Sequence, residues 1–137
     1  MKVILDTNVL ASGIFWGGVP LKVIDLWHTQ KIEVLASEDI LNEYLSSIFR
    51  IAEKLDRPDL YNEWSLVIPS KVKWVTIIKS FHICRDSKDN KFIDCAISGK
   101  ANYIVTGDND LLILEKVMRG SIVNPRMFLR KYEEIKS

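Results

Sequence analysis

Asp6, Asp89 and Asp108 stand where carboxylates can do chemistry. Asp6 ends the apolar run Val3-Ile4-Leu5, and Asp108 follows "YIVTG", so each lies just past a strand-like segment. Asp89 opens the helix-like stretch "DNKFIDCAISG". Glu43, in "NEY" at 42–44, and Asp110 are further candidates. Two unit charges ~4 Å apart repel by about 4 kcal/mol at an effective dielectric near 20. Three or four converging carboxylates therefore need protonation, a basic partner or a divalent cation. All-oxygen ligation suits Mg²⁺ or Mn²⁺ better than zinc. Such a centre can activate water and neutralise charge developing on a phosphate.

The elements that must position these acids follow from the apolar pattern. Residues 2–5 form a first strand, and Gly17-Gly18 a loop. Pro20 suits the first turn of a helix running to about Gln30. "KIEVLAS" (31–37) alternates as a strand and ends on Ser37, an N-cap followed by Glu38 and Asp39 in the first helical turn. That helix carries Leu41, Tyr44, Leu45 and Ile48 on one stripe. Pro58 opens another helix, which Pro69 is expected to stop. "KVKWVTII" (71–78) reads as a strand and 79–88 as a polar loop. A helix from about Asp89 to Ser98 takes Gly99 as its C-cap. "YIVT" (103–106) is a strand, "NDLLILEKV" (109–117) a short helix ended by Gly120, and "SIV" (121–123) the last strand. Asn124-Pro125 start a terminal helix.

The order β-α-β-α-α-β-α-β-α-β-α is that of an α/β domain, a parallel sheet with helices on both faces. Right-handed crossovers bring every strand's carboxyl end to one edge. Ligands of such folds sit outside that edge, where strand order reverses. Topology alone therefore presents Asp6 and Asp108 to one crevice. With ~100° per residue, Ile93 lies about 40° from Asp89 and Ala96 about 20° away on the other side. Asp89 thus shares their inward stripe, whereas Asp94, about 140° round the helix, is expected to face solvent. Simpler roles stay open at this stage. Asp6 and Asp108 can serve turns by bonding the following amides. Glu43, off its helix's stripe, can be an ordinary exposed glutamate, Asp110 a helix-start acid, and Asp86 a loop acid.

Composition bounds the rest. The 137 residues suit one domain, 1–137, and 47% hydrophobic with 27% charged residues describe an ordinary globular protein. No apolar run approaches the ~18 residues that span a bilayer, so no membrane role and a cytoplasmic location are expected. Net charge is +1, giving no strong overall field for nucleic acid. Cys84 and Cys95 form no metal or redox pattern with each other or with His28 and His82. Trp16, Trp27, Trp64 and Trp74 are expected to serve core or helix packing, with Trp16 in "FWGG" the one to watch as a stacking surface.

With these residues in place, the sequence resembles the PIN-domain family of nucleases. "DTNVL" at 6–10, "NEY" at 42–44 and "DNKFIDCAISGKANYIVTGDND" at 89–110 carry the likeness, which extends over nearly the whole chain. "RDSKDNKFIDCA", "YIVTGDNDLL" and "VNPRMFL" look most like the VapC-like toxins of toxin–antitoxin pairs. The resemblance implies a three-layer α/β/α fold with a five-stranded parallel sheet of order 3-2-1-4-5. It implies metal-binding catalytic acids at Asp6, Glu43, Asp89 and Asp108, with Asp110 assisting through water. Thr7, Asn8 and Thr106 become supporting hydrogen-bonders that orient carboxylates. Arg85, Lys88 and Lys91 become weak candidates for holding flanking phosphates, with solvated surface charge the favoured role for each. The implied activity is Mg²⁺- or Mn²⁺-dependent hydrolysis of single-stranded RNA, with a homodimer and an antitoxin protein as partners. A PIN-like module that binds RNA or protein without catalysis is the alternative, against which all four acids count. An aspartyl-phosphate mechanism at Asp6 is disfavoured, because Asn8 stands where a second aspartate is needed.

Overall fold

The computed structural model describes residues 1–78, 80, 89–113 and 121–136. Strand β1 (Lys2–Leu5) leads into α1 (Thr7–Trp16) and α2 (Gly18–His28), then β2 (Glu33–Ala36), α3 (Glu38–Lys54), α4 (Pro58–Lys71) and β3 (Lys73–Trp74). After these come α5 (Asn90–Gly99), β4 (Tyr103–Val105), α6 (Asn109–Leu112), β5 (Ile122–Val123) and α7 (Pro125–Lys136). The strands form one parallel sheet in the order β3-β2-β1-β4-β5. That is the architecture the resemblance implies. Strand order reverses between β1 and β4, where Leu5 stands opposite Val105.

Right-handed crossovers place α1 to α4 on one face and α5 on the other. α5 packs beneath β1, β2 and β4, while α7 packs on α2 and β4. Both faces being covered, the central strands are apolar throughout. Val3, Ile4 and Leu5 are fully buried, as is Val105. Each such side chain contributes roughly 1.5–3 kcal/mol. The end of β1 is therefore fixed, and the residue after it cannot reach solvent by shifting the strand.

Four local readings change. The stretch after Asp6 is itself a helix, α1, rather than a connection to the helix at Pro20. Its apolar residues show no clean polar face because Val9, Leu10, Ala11 and Gly13 are all buried. Gly13 lets α1 and α2 meet: a Cβ there would lie 3.1 Å from both Leu21 N and Pro20 C. Gly17, at φ 73°, makes the 100° turn between the two helices. Pro69 does not stop α4, which runs to Lys71. In a last turn a proline removes little, and Val72 N still donates to Ile68 O at 3.1 Å.

The strand expected over 71–78 is only Lys73–Trp74, extended by a bond from Val75 N to Ala36 O at 3.0 Å. At the end of α5 the left-handed residue is Lys100, at φ 55°, and not Gly99. Gly99 is small for another reason. A Cβ there would meet Leu35 Cδ1 at 2.8 Å and Val75 Cγ2 at 2.9 Å. Ser37 caps α3 as expected, accepting from Ile40 N at 3.3 Å. Of the helix expected over 109–117, Asn109–Leu112 is helical and Ile113 is its C-cap, while residues 114–117 lie outside the described residues.

Candidate metal centre

Asp6 sits at the N-cap of α1, yet its side chain makes no capping bond. Its amide donates to Val105 O at 2.9 Å, continuing the β1–β4 ladder by one residue. Its carboxylate turns to β4 instead, where Thr106 Oγ1 donates to Oδ2 at 2.7 Å. The same hydroxyl accepts from Asp108 N at 3.0 Å, and Asp108 Oδ1 accepts from Asp110 N at 2.9 Å. Thr106, fully buried, thus ties the carboxyl ends of the two central strands together. Asp108 does perform the turn role open to it, capping α6, but Asp6 does not. At 5% exposure the Asp6 carboxyl is pushed above its ordinary range. Burial is the main cause; the Thr106 bond opposes it, and the charges of Asp108 and Glu43 add to it.

Glu43 reaches this edge from α3. Thr7 Oγ1 donates to its Oε2, and Lys91 Nζ, from α5, lies 2.6 Å from its Oε1. The next residue explains the placement. Tyr44 is fully buried and its hydroxyl donates to Leu5 O, the last carbonyl of β1 before Asp6. That anchor sets α3 against the strand end and leaves Glu43 beside Thr7. The stripe of Leu41, Leu45 and Ile48 contained no such information; the neighbouring Tyr44 was the available clue.

Asp89, 7% exposed, stands at the N-cap of α5. Carboxylate oxygens of Asp89, Asp108 and Asp110 all lie within 4.8 Å of one another. Asp6, Asp89 and Asp108 each occupy a helix N-cap. The positive ends of these helices offset part of the mutual repulsion. The structure thus brings Asp89, Asp108 and Asp110 together and sets Asp6 and Glu43 in electrostatic reach of one another. Thr7 and Thr106 hold Glu43 and Asp6. Asn8 is exposed, and no hydrogen bond links it to a described carboxylate. Arg85, Asp86 and Lys88, with His82 and Cys84, lie outside the described residues.

Asp94 requires a correction. It is 8% exposed rather than solvent-facing, and borders a crevice of about 300 Å³ with Ser37, Asp39 and Lys91. Asp94 would face solvent only if α5 were covered on a single side. Phe92 to Ala96 are all buried, because α5 packs on the sheet and against α3 as well. Among the tryptophans, Trp16 and Trp74 are exposed and Trp27 is buried.

The donor set fits a hard divalent cation. Every convergent ligand atom is a carboxylate oxygen, with Asp89 buried and Asp108 and Asp110 half-buried. A parallel α/β sandwich with acids from four elements meeting at its strand-order reversal is a recognisable class of fold and site. The family model for the PIN domain matches residues 2–110, and the chain belongs to that family, whose members are generally nucleases. An uncharacterised protein of Methanocaldococcus jannaschii is 33% identical over 98% of this chain and 93% of its own length. The crystal structure of VapBC2 from Rickettsia felis, bound to a DNA fragment from its promoter, contains a chain of similar fold. The TM-score is 0.58 at 15% identity, covering 90% of this chain and 98% of that one.

Proposed function

We propose that the protein is a divalent-metal-dependent endoribonuclease, one PIN domain over 1–137, that cleaves single-stranded RNA as the cytoplasmic toxin of a toxin–antitoxin pair. The observation that carries this is the convergence of Asp89, Asp108 and Asp110, with Asp6 and Glu43 coupled to them, at the sheet's reversal. Asp6, Glu43, Asp89 and Asp108 would hold Mg²⁺ or Mn²⁺, with Asp110 assisting through water. Bound there, such an ion supplies positive charge to the scissile phosphate and acidity to the attacking water. Thr106 orients Asp6, and Thr7 orients Glu43. Tyr44 and Thr106 fix the two strand ends from which those acids project. Among the described residues the site presents no histidine, and the bases it offers there are these carboxylates.

The presence of every acid of the set supports an active nuclease over a binding module. The likeness in fold to VapBC2, a toxin–antitoxin complex bound to promoter DNA, supports an antitoxin partner, while the homodimer rests on the family resemblance alone. Purified protein should cut a mixed single-stranded RNA pool in Mg²⁺ or Mn²⁺, and EDTA should stop it. Asp59→Asn, exposed in the first turn of α4, should cut normally. Cleavage undiminished by EDTA, or retained by Asp6→Asn, would sink the reading. The toxin role predicts growth arrest on expression, relieved by the product of an adjacent small gene.

A further inference from the structure

Converging carboxylates need protonation, a basic partner or a cation, and this chain carries a basic partner. Lys91 Nζ lies 2.6 Å from Glu43 Oε1, and the two side chains are only 26% and 27% exposed. Thr7 takes the other oxygen of Glu43, so both oxygens are engaged. Lys91 also sits in the first turn of α5, where a cation meets the positive end of the helix. That location is locally unfavourable for lysine. The ion pair with Glu43, which spans α3 and α5, offsets it. From these observations we propose that Lys91 is the built-in counter-ion of Glu43: its ammonium occupies the carboxylate in the metal-free protein and must withdraw when a divalent ion is bound. Lys91 then acts as a positioning residue, holding Glu43 in the site while competing with the ion for it.

This inference rests on the metal-dependent reading above and goes beyond it by assigning the competitor. A lysine that only held flanking phosphates would leave metal affinity untouched. A competing ammonium sets that affinity.

The experiment is Mn²⁺ binding to the full chain, measured by calorimetry without RNA, for wild type, Lys91→Met, Lys91→Arg, Glu43→Gln and the double variant Glu43→Gln/Lys91→Met. Methionine keeps the apolar stem and removes the charge. Lys91→Met should tighten Mn²⁺ by about tenfold, an energy ordinary for directly coupled groups. Its thermal midpoint in EDTA should fall, and its gain on adding Mn²⁺ should exceed that of wild type. Lys91→Arg, which keeps the charge, should bind as wild type does. In the Glu43→Gln background, Lys91→Met should change the affinity by less than about twofold, since the partner is gone. Unchanged or weaker Mn²⁺ binding by natively folded Lys91→Met would overturn the proposal. So would an undiminished effect in the Glu43→Gln background, which would make Lys91 a source of general field only. If wild type takes up no Mn²⁺ at all, the metal-dependent reading itself fails and the inference falls with it.

Discussion

Asp6→Asn should make the metal-free protein more stable while abolishing its activity. Asp6 is 5% exposed, and its carboxylate is penalised chiefly by burial and then by the charges of Asp108 and Glu43. A like charge roughly 5–6 Å away repels by about 3 kcal/mol at an effective dielectric near 20. Residual desolvation adds to that. Against these gains, the Thr106 bond survives to the asparagine carbonyl but becomes neutral, a loss of about 1 kcal/mol. The favourable position at the α1 N-terminus loses about 0.3–1 kcal/mol more. The balance is on the order of 2 kcal/mol in favour of asparagine, or about 6–10 °C for a chain of this length. Its pH dependence has a definite sign. The folded-state pKa of Asp6 is raised above 3.8. Folded protein therefore holds the proton more tightly than unfolded chain does. This contribution is fully present below 3.8 and is lost as pH rises through the raised value. The advantage of the variant should be full at neutral pH and vanish as pH falls toward 3.8. Urea and thermal unfolding in EDTA across that range measures it. Saturating Mn²⁺ should reverse the ranking, since an ion at ~100 times its Kd stabilises wild type by about 2.7 kcal/mol. An Asp6→Asn protein less stable than wild type in EDTA at neutral pH would refute the electrostatic reasoning.

Three further substitutions and one chemical treatment probe the frame around the site. Tyr44→Phe removes the buried bond to Leu5 O and should cost about 1–3 kcal/mol in urea unfolding. Its RNA cleavage should also fall, because the strand end before Asp6 is no longer pinned. Gly99→Ala should destabilise by about 1–3 kcal/mol through contact with Leu35 and Val75. Lys100→Gly, at the left-handed position, should stabilise by up to about 1 kcal/mol in the same assay. Cys95 is buried and its thiol is pushed up to about 12, so native protein at pH 8 should leave the Cys95 peptide unalkylated by iodoacetamide on mass mapping. Prompt alkylation there would show that α5 opens locally.

The strand order came from the family resemblance, whereas the parallel sheet, with every strand's carboxyl end on one edge, was available from the sequence because the constraint behind it is topological. Short apolar runs alternating with longer amphipathic ones admit few arrangements once crossovers must be right-handed. Asp6 and Asp108 followed for the same reason: the end of a parallel strand specifies an edge without any side-chain detail. α1 was not visible, since its residues are buried on several sides and carry no helical stripe. Likewise Gly99 resembled a C-cap by position, whereas its smallness answers to Leu35 and Val75, two distant residues that only the folded chain brings near.

The site was legible to the degree that it depends on backbone placement and illegible where it depends on packing between elements. Asp89 came from helical phase on α5, and the same phase misplaced Asp94, because a helix wedged between sheet and α3 has no solvent side at that depth. Glu43 came from the family resemblance, and its physical reason is the bond from Tyr44 to Leu5 O, which joins residues 39 positions apart. Lys91 shows the limit most clearly. Sequence position beside Asp89 suggested a phosphate contact, but the residue it meets lies 48 positions away on α3. Charge density at such an edge invites any cation within reach, and Lys91 is one that is covalently part of the chain. A centre built to exchange a divalent ion needs its acids held apart in the ion's absence without being locked. A partly exposed ammonium does this, because water screens the pair enough for it to part.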